Sequence, residues 1–195
     1  MERGFPQALI GILLLLSPLF AAGCLVGGPV ARTFNSPQGT RLVPQVPFYP
    51  DDTNLCGPAS LAALLTFQGY PTTMDEVAAG VQRWALRGAI GPDLVIFARK
   101  RGAKASFFSS SPEDLLVFLD KGQPVLVEVD NGIGPIVKAH FMLVVGYTQD
   151  GVVANNGLVQ QEVIPWSKFL TSWFRMGYFA VLVEGPDKPL PDDPV

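Results

Sequence analysis

The order of elements along the chain predicts an α+β fold. Helical patterns crowd the stretch before Gly122, and short strand patterns rich in β-branched and aromatic residues crowd the stretch after it. Neither an internal repeat nor a phosphate-cradling glycine motif interrupts this order. With 195 residues, and ends unlike the middle, the chain reads as one domain with appendages. A central segment of this size buries a core without a metal or disulfide staple.

The first helix is expected from Gly57 to about Gln68. Leu61, Leu64 and Leu65 share a face, and Gly69 fits the stop. Thr73-Met74-Asp75-Glu76 is a capping-box pattern that opens a second helix. Asp93 through Arg101 predicts a third. Ser111-Pro112-Glu113-Asp114 opens a fourth, with Pro112 at the tolerated first position. Strands are expected at 125–129, 140–145, 152–154, 161–164 and 178–183. A short helix at 166–173 interrupts them.

Residues 1–23 read as a secretory signal: a short basic start at Arg3, an apolar run from Ala8 to Phe20, and the small residues Ala21-Ala22-Gly23. The run is short for a membrane span. Leu19-Phe20-Ala21-Ala22-Gly23-Cys24 resembles a bacterial lipoprotein signal, which implies cleavage before Cys24 and its acylation. Several acyl chains would hold the chain on a membrane, where one binds only reversibly. Leu25 after Cys24 favours the periplasmic face of the outer membrane if the source is Gram-negative. Residues 24–43, with Gly27, Gly28, Pro29, Pro37 and Gly39, read as a lipidated tether. Residues 44–185 form the expected domain. The last ten residues hold four prolines and three aspartates and read as a disordered tail.

The net charge is −3, and stays −3 without residues 1–23, which contain Glu2 and Arg3. The short basic cluster of Arg99, Lys100 and Arg101 reads as a solvated helix end, so nucleic acid is not an expected partner. One histidine excludes a multi-histidine metal site, and neither metal nor cofactor is expected. Of the two cysteines, Cys24 falls at the processing site, which leaves Cys56 a free thiol.

Cys56-Gly57-Pro58-Ala59-Ser60 lies where an extended segment meets a helix. Unpaired N–H groups at a helix start favour a thiolate, so the position predicts a lowered thiol pKa and a nucleophile. The same groups can hold an oxyanion, and Gly57 would let a substrate approach the backbone. His140 opens a strand whose alternation places it on one face with Met142 and Val144. It is the single histidine that could serve the thiol as general base. Asn155-Asn156-Gly157 ends the next strand. Asn156, or Asn155 if the register differs by one, could orient the imidazole in a cysteine–histidine–asparagine triad. Asn156-Gly157 is equally a β-turn signal.

Val46-Pro47-Phe48-Tyr49-Pro50, then Asn54-Leu55-Cys56-Gly57-Pro58-Ala59-Ser60-Leu61, then His140-Phe141 and Gly146-Tyr147, resemble the bacteriocin-processing, double-glycine cysteine peptidases. The resemblance spans roughly residues 44–184. It implies a papain-like fold, with the cysteine on a helix and the histidine on a later antiparallel sheet. It also implies a cysteine peptidase acting on exported peptide or protein substrates, with Cys56 as nucleophile, His140 as base and Asn156 in the third place, where the family usually has aspartate. The family's oxyanion glutamine falls on Asp51, which cannot donate a hydrogen bond when ionised. Asn54 and Gln45 are the other oxyanion candidates. The alternative is a weakened papain-like module that binds peptides without cleaving them. Such domains often belong to peptide exporters. This sequence has no transporter or ATP-binding segment, so an exporter or secretion partner would be encoded separately.

Overall fold

A computed structural model describes residues 34–51 and 53–186, together with Met1. The expected signal, Cys24 and residues 187–195 of the tail lie outside the described residues. Helices α1 (Cys56–Phe67), α2 (Met74–Val81) and α3 (Gly91–Lys100) come first, with a 3₁₀ turn at Trp84–Leu86. Strand β2 (Lys104–Ser109) and helix α4 (Pro112–Asp120) follow. Then come β3 (Val125–Asp130), β4 (Ala139–Tyr147), β5 (Gly151–Asn156), β6 (Val159–Pro165), α5 (Trp166–Arg175) and β7 (Phe179–Glu184).

One antiparallel sheet runs β2-β7-β3-β4-β5-β6, and a two-residue strand β1 (Arg41–Leu42) joins the end of β4. The expected α+β class and antiparallel sheet are what the chain forms. Strand β2 was not expected. Its end residues, Lys104 and Ser109, are polar and exposed, and it lies between two helices.

Local signals explain the helix ends. Thr73 Oγ1 accepts from the Glu76 N–H at 3.2 Å, and the Glu76 carboxylate accepts from the Thr73 N–H at 2.9 Å, which completes the capping box. Ser111 caps α4 through the Asp114 N–H, with Pro112 in the first turn. Helix α1 differs from its expected single apolar face. Every residue from Gly57 to Leu65 is buried, so it is a central helix, apolar all round.

Two core clusters lie on opposite faces of the sheet. Leu126, Phe141, Leu143 and Val145 pack with α1, α2 and α3. Val125, Val127, Met142 and Val144 pack with α4 and α5 around Phe169 and Trp173. Coverage on both faces is why these strands read as unbroken apolar runs rather than alternations.

The tether expected to run to residue 43 is folded in its second half, from Phe34 on. Phe34 packs on Trp166 with ring centroids 4.9 Å apart. Arg41 and Leu42 pair with Tyr147 and Gly146, and Val43 is buried with its N–H bonded to Val145 O at 2.8 Å. Gly146 admits this strand because it has no side chain: a Cβ there would meet Arg41 O at 2.3 Å.

Candidate active site

Cys56 is the first residue of α1, and Leu55 precedes it as the helix cap. Its neighbours set the loop that aims it. The Asp51 carboxylate accepts from the Thr53 N–H (3.0 Å), the Thr53 hydroxyl (2.6 Å) and the Leu55 N–H (3.1 Å). The Asp51 N–H donates to Gly157 O at 3.0 Å, which ties this loop to the β5–β6 turn.

Three backbone N–H groups favour the Cys56 thiolate: those of Phe141, Gly57 and Cys56 itself. The first belongs to the residue after His140, so the sulfur sits against the start of β4. Burial outweighs these donors, and with the Asp51 charge it pushes the thiol above its ordinary value. This reverses the lowered pKa expected from the helix start alone. Gly57 also differs from its expected role. It is buried, and a Cβ there would meet Ala89 and Phe141, each at 3.2 Å. Core packing rather than substrate approach requires the glycine.

His140 is the second residue of β4 and lines a cleft of about 580 Å³ together with Cys56. Met142 and Val144 share its face by alternation and are buried on the α4/α5 side. The imidazole therefore reaches the cleft from the end of the sheet. Its Nε2 is 2.7 Å from Asn156 Oδ1. Burial pushes the imidazole pKa down, the Asn156 hydrogen bond opposes this, and Lys138 adds to it.

Asn155 and Asn156 have different partners. Asn155 is buried, donates to Pro47 O at 3.3 Å and accepts from the Gln161 N–H at 3.1 Å. Both of its polar atoms hold loops together. Asn156 is the residue that meets His140, and its Nδ2 donates to Glu162 Oε2 at 2.6 Å. The turn starts one residue later, at Gly157 with φ +57°, so Asn156 ends the strand and keeps its side chain for the site.

Of the oxyanion candidates, Asp51 and Asn54 line the cleft and Gln45 does not. Gln45 is exposed with φ +60° in the turn after β1, where the chain leaves the sheet edge. Asp51 holds the loop as an acceptor, so it offers an oxyanion no hydrogen. The N–H groups of Phe141, Gly57 and Cys56 are donors to the sulfur, and the exposed Asn54 lines the same cleft.

Two acidic residues lie at the site besides those the sequence pattern singles out. Glu128 lines the cleft from β3, and burial pushes its carboxyl pKa up. The signal was visible: one acid in the apolar run Val125-Leu126-Val127-Glu128-Val129. Glu162 backs Asn156, and only the hairpin register brings the two together. Among the described residues, no three metal-ligating side chains form a cluster.

The chain resembles known proteins in both fold and sequence. It aligns over 76% of its length with a C39-like peptidase candidate from Bacillus anthracis, covering 99% of that chain at 20% identity and a TM-score of 0.63. A double-glycine motif protease from an AMS/PCAT transporter, solved with its leader peptide, matches 78% of this chain and all of its own at 20% identity, with a TM-score of 0.58. The peptidase domain of Streptococcus ComA, a bi-functional ABC transporter of a quorum-sensing pathway, matches 74% of this chain and 98% of its own, at 21% identity and a TM-score of 0.56. These likenesses establish the papain-like fold. No curated protein matches. The model of the Peptidase_C39 like family matches residues 38–181, most of the chain, and on that match the chain belongs to the Peptidase_C39 like family.

Proposed function

We propose that this protein is a cysteine peptidase that cleaves exported peptide or protein substrates through Cys56, His140 and Asn156. One observation carries the reading. The imidazole that shares a cleft with the helix-start thiol is held through Nε2 by Asn156, which leaves Nδ1 as the nitrogen for the thiol proton.

In the proposed reaction His140 Nδ1 takes the Cys56 proton as the sulfur attacks the scissile carbonyl carbon. The imidazolium then protonates the leaving amine, and a thioester remains on Cys56. Water, deprotonated by His140, hydrolyses the thioester and restores the thiol. Backbone N–H groups at the start of α1 hold the oxyanion. A raised thiol pKa and a lowered imidazole pKa mean that the resting pair is neutral. The ion pair forms as the thiol proton transfers. Exposed Leu86 and Val137 on the cleft rim suit an apolar peptide segment.

The test compares wild type with Cys56→Ala on exported peptides by mass spectrometry. Products unique to wild type support the peptidase, and identical products refute it. A second reading, a module that binds peptide without cutting it, draws on Asp51 accepting where the family's glutamine would donate. Slow, bulk-like alkylation of Cys56, unaffected by His140→Ala, would favour it.

Export and anchoring belong to the same proposal. Residues 1–23 would direct export, with Cys24 acylated on the periplasmic face of the outer membrane and a separately encoded exporter as partner. Labelled fatty acid that enters wild type but not Cys24→Ser tests the anchor.

A further inference from the structure

We propose that Glu162 is a positioning residue of this site: its carboxylate holds the Asn156 amide with Oδ1 toward His140 and supplies the negative charge that asparagine lacks.

An ionised carboxylate only accepts, so the Asn156 group 2.6 Å from Glu162 Oε2 must be the NH₂. Oδ1 then faces His140, and the Nε2 that meets it at 2.7 Å must carry the proton. The lone pair is left on Nδ1. Without Glu162 the amide could turn over and present a donor to Nε2, which would select the opposite tautomer. A charge-assisted bond also polarises the amide, so Oδ1 becomes a stronger acceptor for an imidazolium.

The local backbone supports the same assignment. Ala154 pairs with Glu162 and Asn156 with Val159, so Asn155 alone faces both Gln160 and Gln161. This is a β-bulge on β6, with Gln161 at φ +55°. Left-handed backbone at a residue other than glycine is strained and needs a reason. Bulges re-aim side chains beside active sites. Here the bulge lets a residue three positions from the hairpin's last pair reach the Asn156 amide.

Other charges also act on His140. Asp51 before α1 and Glu162 on β6 favour its cation, and Lys138 before β4 opposes it. Glu128 shares the cleft. Lys168 and the Asp130–Arg175 pair share a groove with Asn156 on the α5 side.

The chain has one histidine, so its imidazole resonances can be followed by NMR without assignment ambiguity. In a Cys56→Ala background, Glu162→Gln and Glu162→Ala are expected to lower the imidazole pKa by about half a unit or more. Both should reduce the Nε2–H tautomer. With Cys56 present, Glu162→Gln should slow His140-dependent alkylation at neutral pH by about three- to tenfold. Asn156→Asp should be impaired, because two carboxylates then meet. Asn156→Asp combined with Glu162→Gln exchanges carboxylate and amide, and should recover most of the rate. An unchanged imidazole pKa and tautomer would overturn the assignment, as would a double variant no better than Glu162→Gln. The kinetic arm rests on the thiol–imidazole reading, while the titration uses no substrate. A chain that cleaves nothing yet shows the shift sustains Glu162 and removes only the peptidase reading.

Discussion

Replacing Asp51 with asparagine should weaken the fold and, at the same time, make the Cys56 thiol more acidic. The carboxylate accepts three hydrogen bonds, from the Thr53 N–H, the Thr53 hydroxyl and the Leu55 N–H. An asparagine of the same size keeps one acceptor oxygen and turns an NH₂ toward at least one donor. Losing one bond to a buried charged group costs about 2 kcal/mol. For a domain of this size, that lowers the melting temperature by roughly 4–8 °C. The removed charge has a second effect. Asp51 raises the pKa of both Cys56 and His140, so both should fall without it. Thermal unfolding followed by circular dichroism reads the first effect. The pH midpoint of Cys56 alkylation reads the second, and it should move to lower pH. A variant that melts with wild type would refute the loop-holding role. A midpoint that moves up would refute the electrostatic one.

Further outcomes follow from the same geometry. Asn156→Ala removes a bond that strengthens as His140 becomes charged. Peptidase activity should fall roughly 10- to 100-fold, as losing about 1.5–3 kcal/mol implies, and a loss below twofold would sink its role. The lowered His140 pKa places the acid limb of His140-dependent alkylation below pH 6.5, the ordinary value. Stability follows the same sign. The unfolded chain takes the proton near 6.5 while the folded chain resists it, so stability is full above 6.5 and declines as pH falls through the lower, folded value. Melting curves of wild type and His140→Gln across pH 4–7 check this, and parallel curves would contradict it. Gly146→Ala would drive a methyl into Arg41 O and Leu42 Cα. The expected cost is about 1–3 kcal/mol, with faster amide exchange at Val43; full protection there would show that β1 tolerates the methyl.

Much of the site was legible because its parts carry local chemistry. Ser111-Pro112 and Thr73 through Glu76 announce helix starts by side chains that satisfy specific N–H groups. Cys56 before a glycine–proline start, and a lone histidine opening a strand, are likewise local. What stayed hidden depends on contacts between distant segments. The sequence position of Cys56 shows the donors at the helix start but not the burial that overrides them. Alternation cannot assign a face to β4, because both faces are apolar. Arg41 and Leu42 form a strand only because Gly146 leaves room for them. Glu162 gains its role through a bulge that no propensity scale registers.

The spacing of the site along the chain sets an order in time. Cys56 lies about a hundred residues ahead of Glu162. At a synthesis rate of roughly 5–20 residues per second, the thiol leaves the ribosome some 5–20 seconds before the segment that completes its surroundings. For most of that interval the imidazole has not emerged, and the sulfur has no base beside it. The nascent chain is thus protected from its own chemistry by sequence order alone. The thiol gains its base only when β4 packs against α1, and the imidazole gains its support only when β5 and β6 pair beside β4, so reactivity waits on contacts between distant parts of the chain.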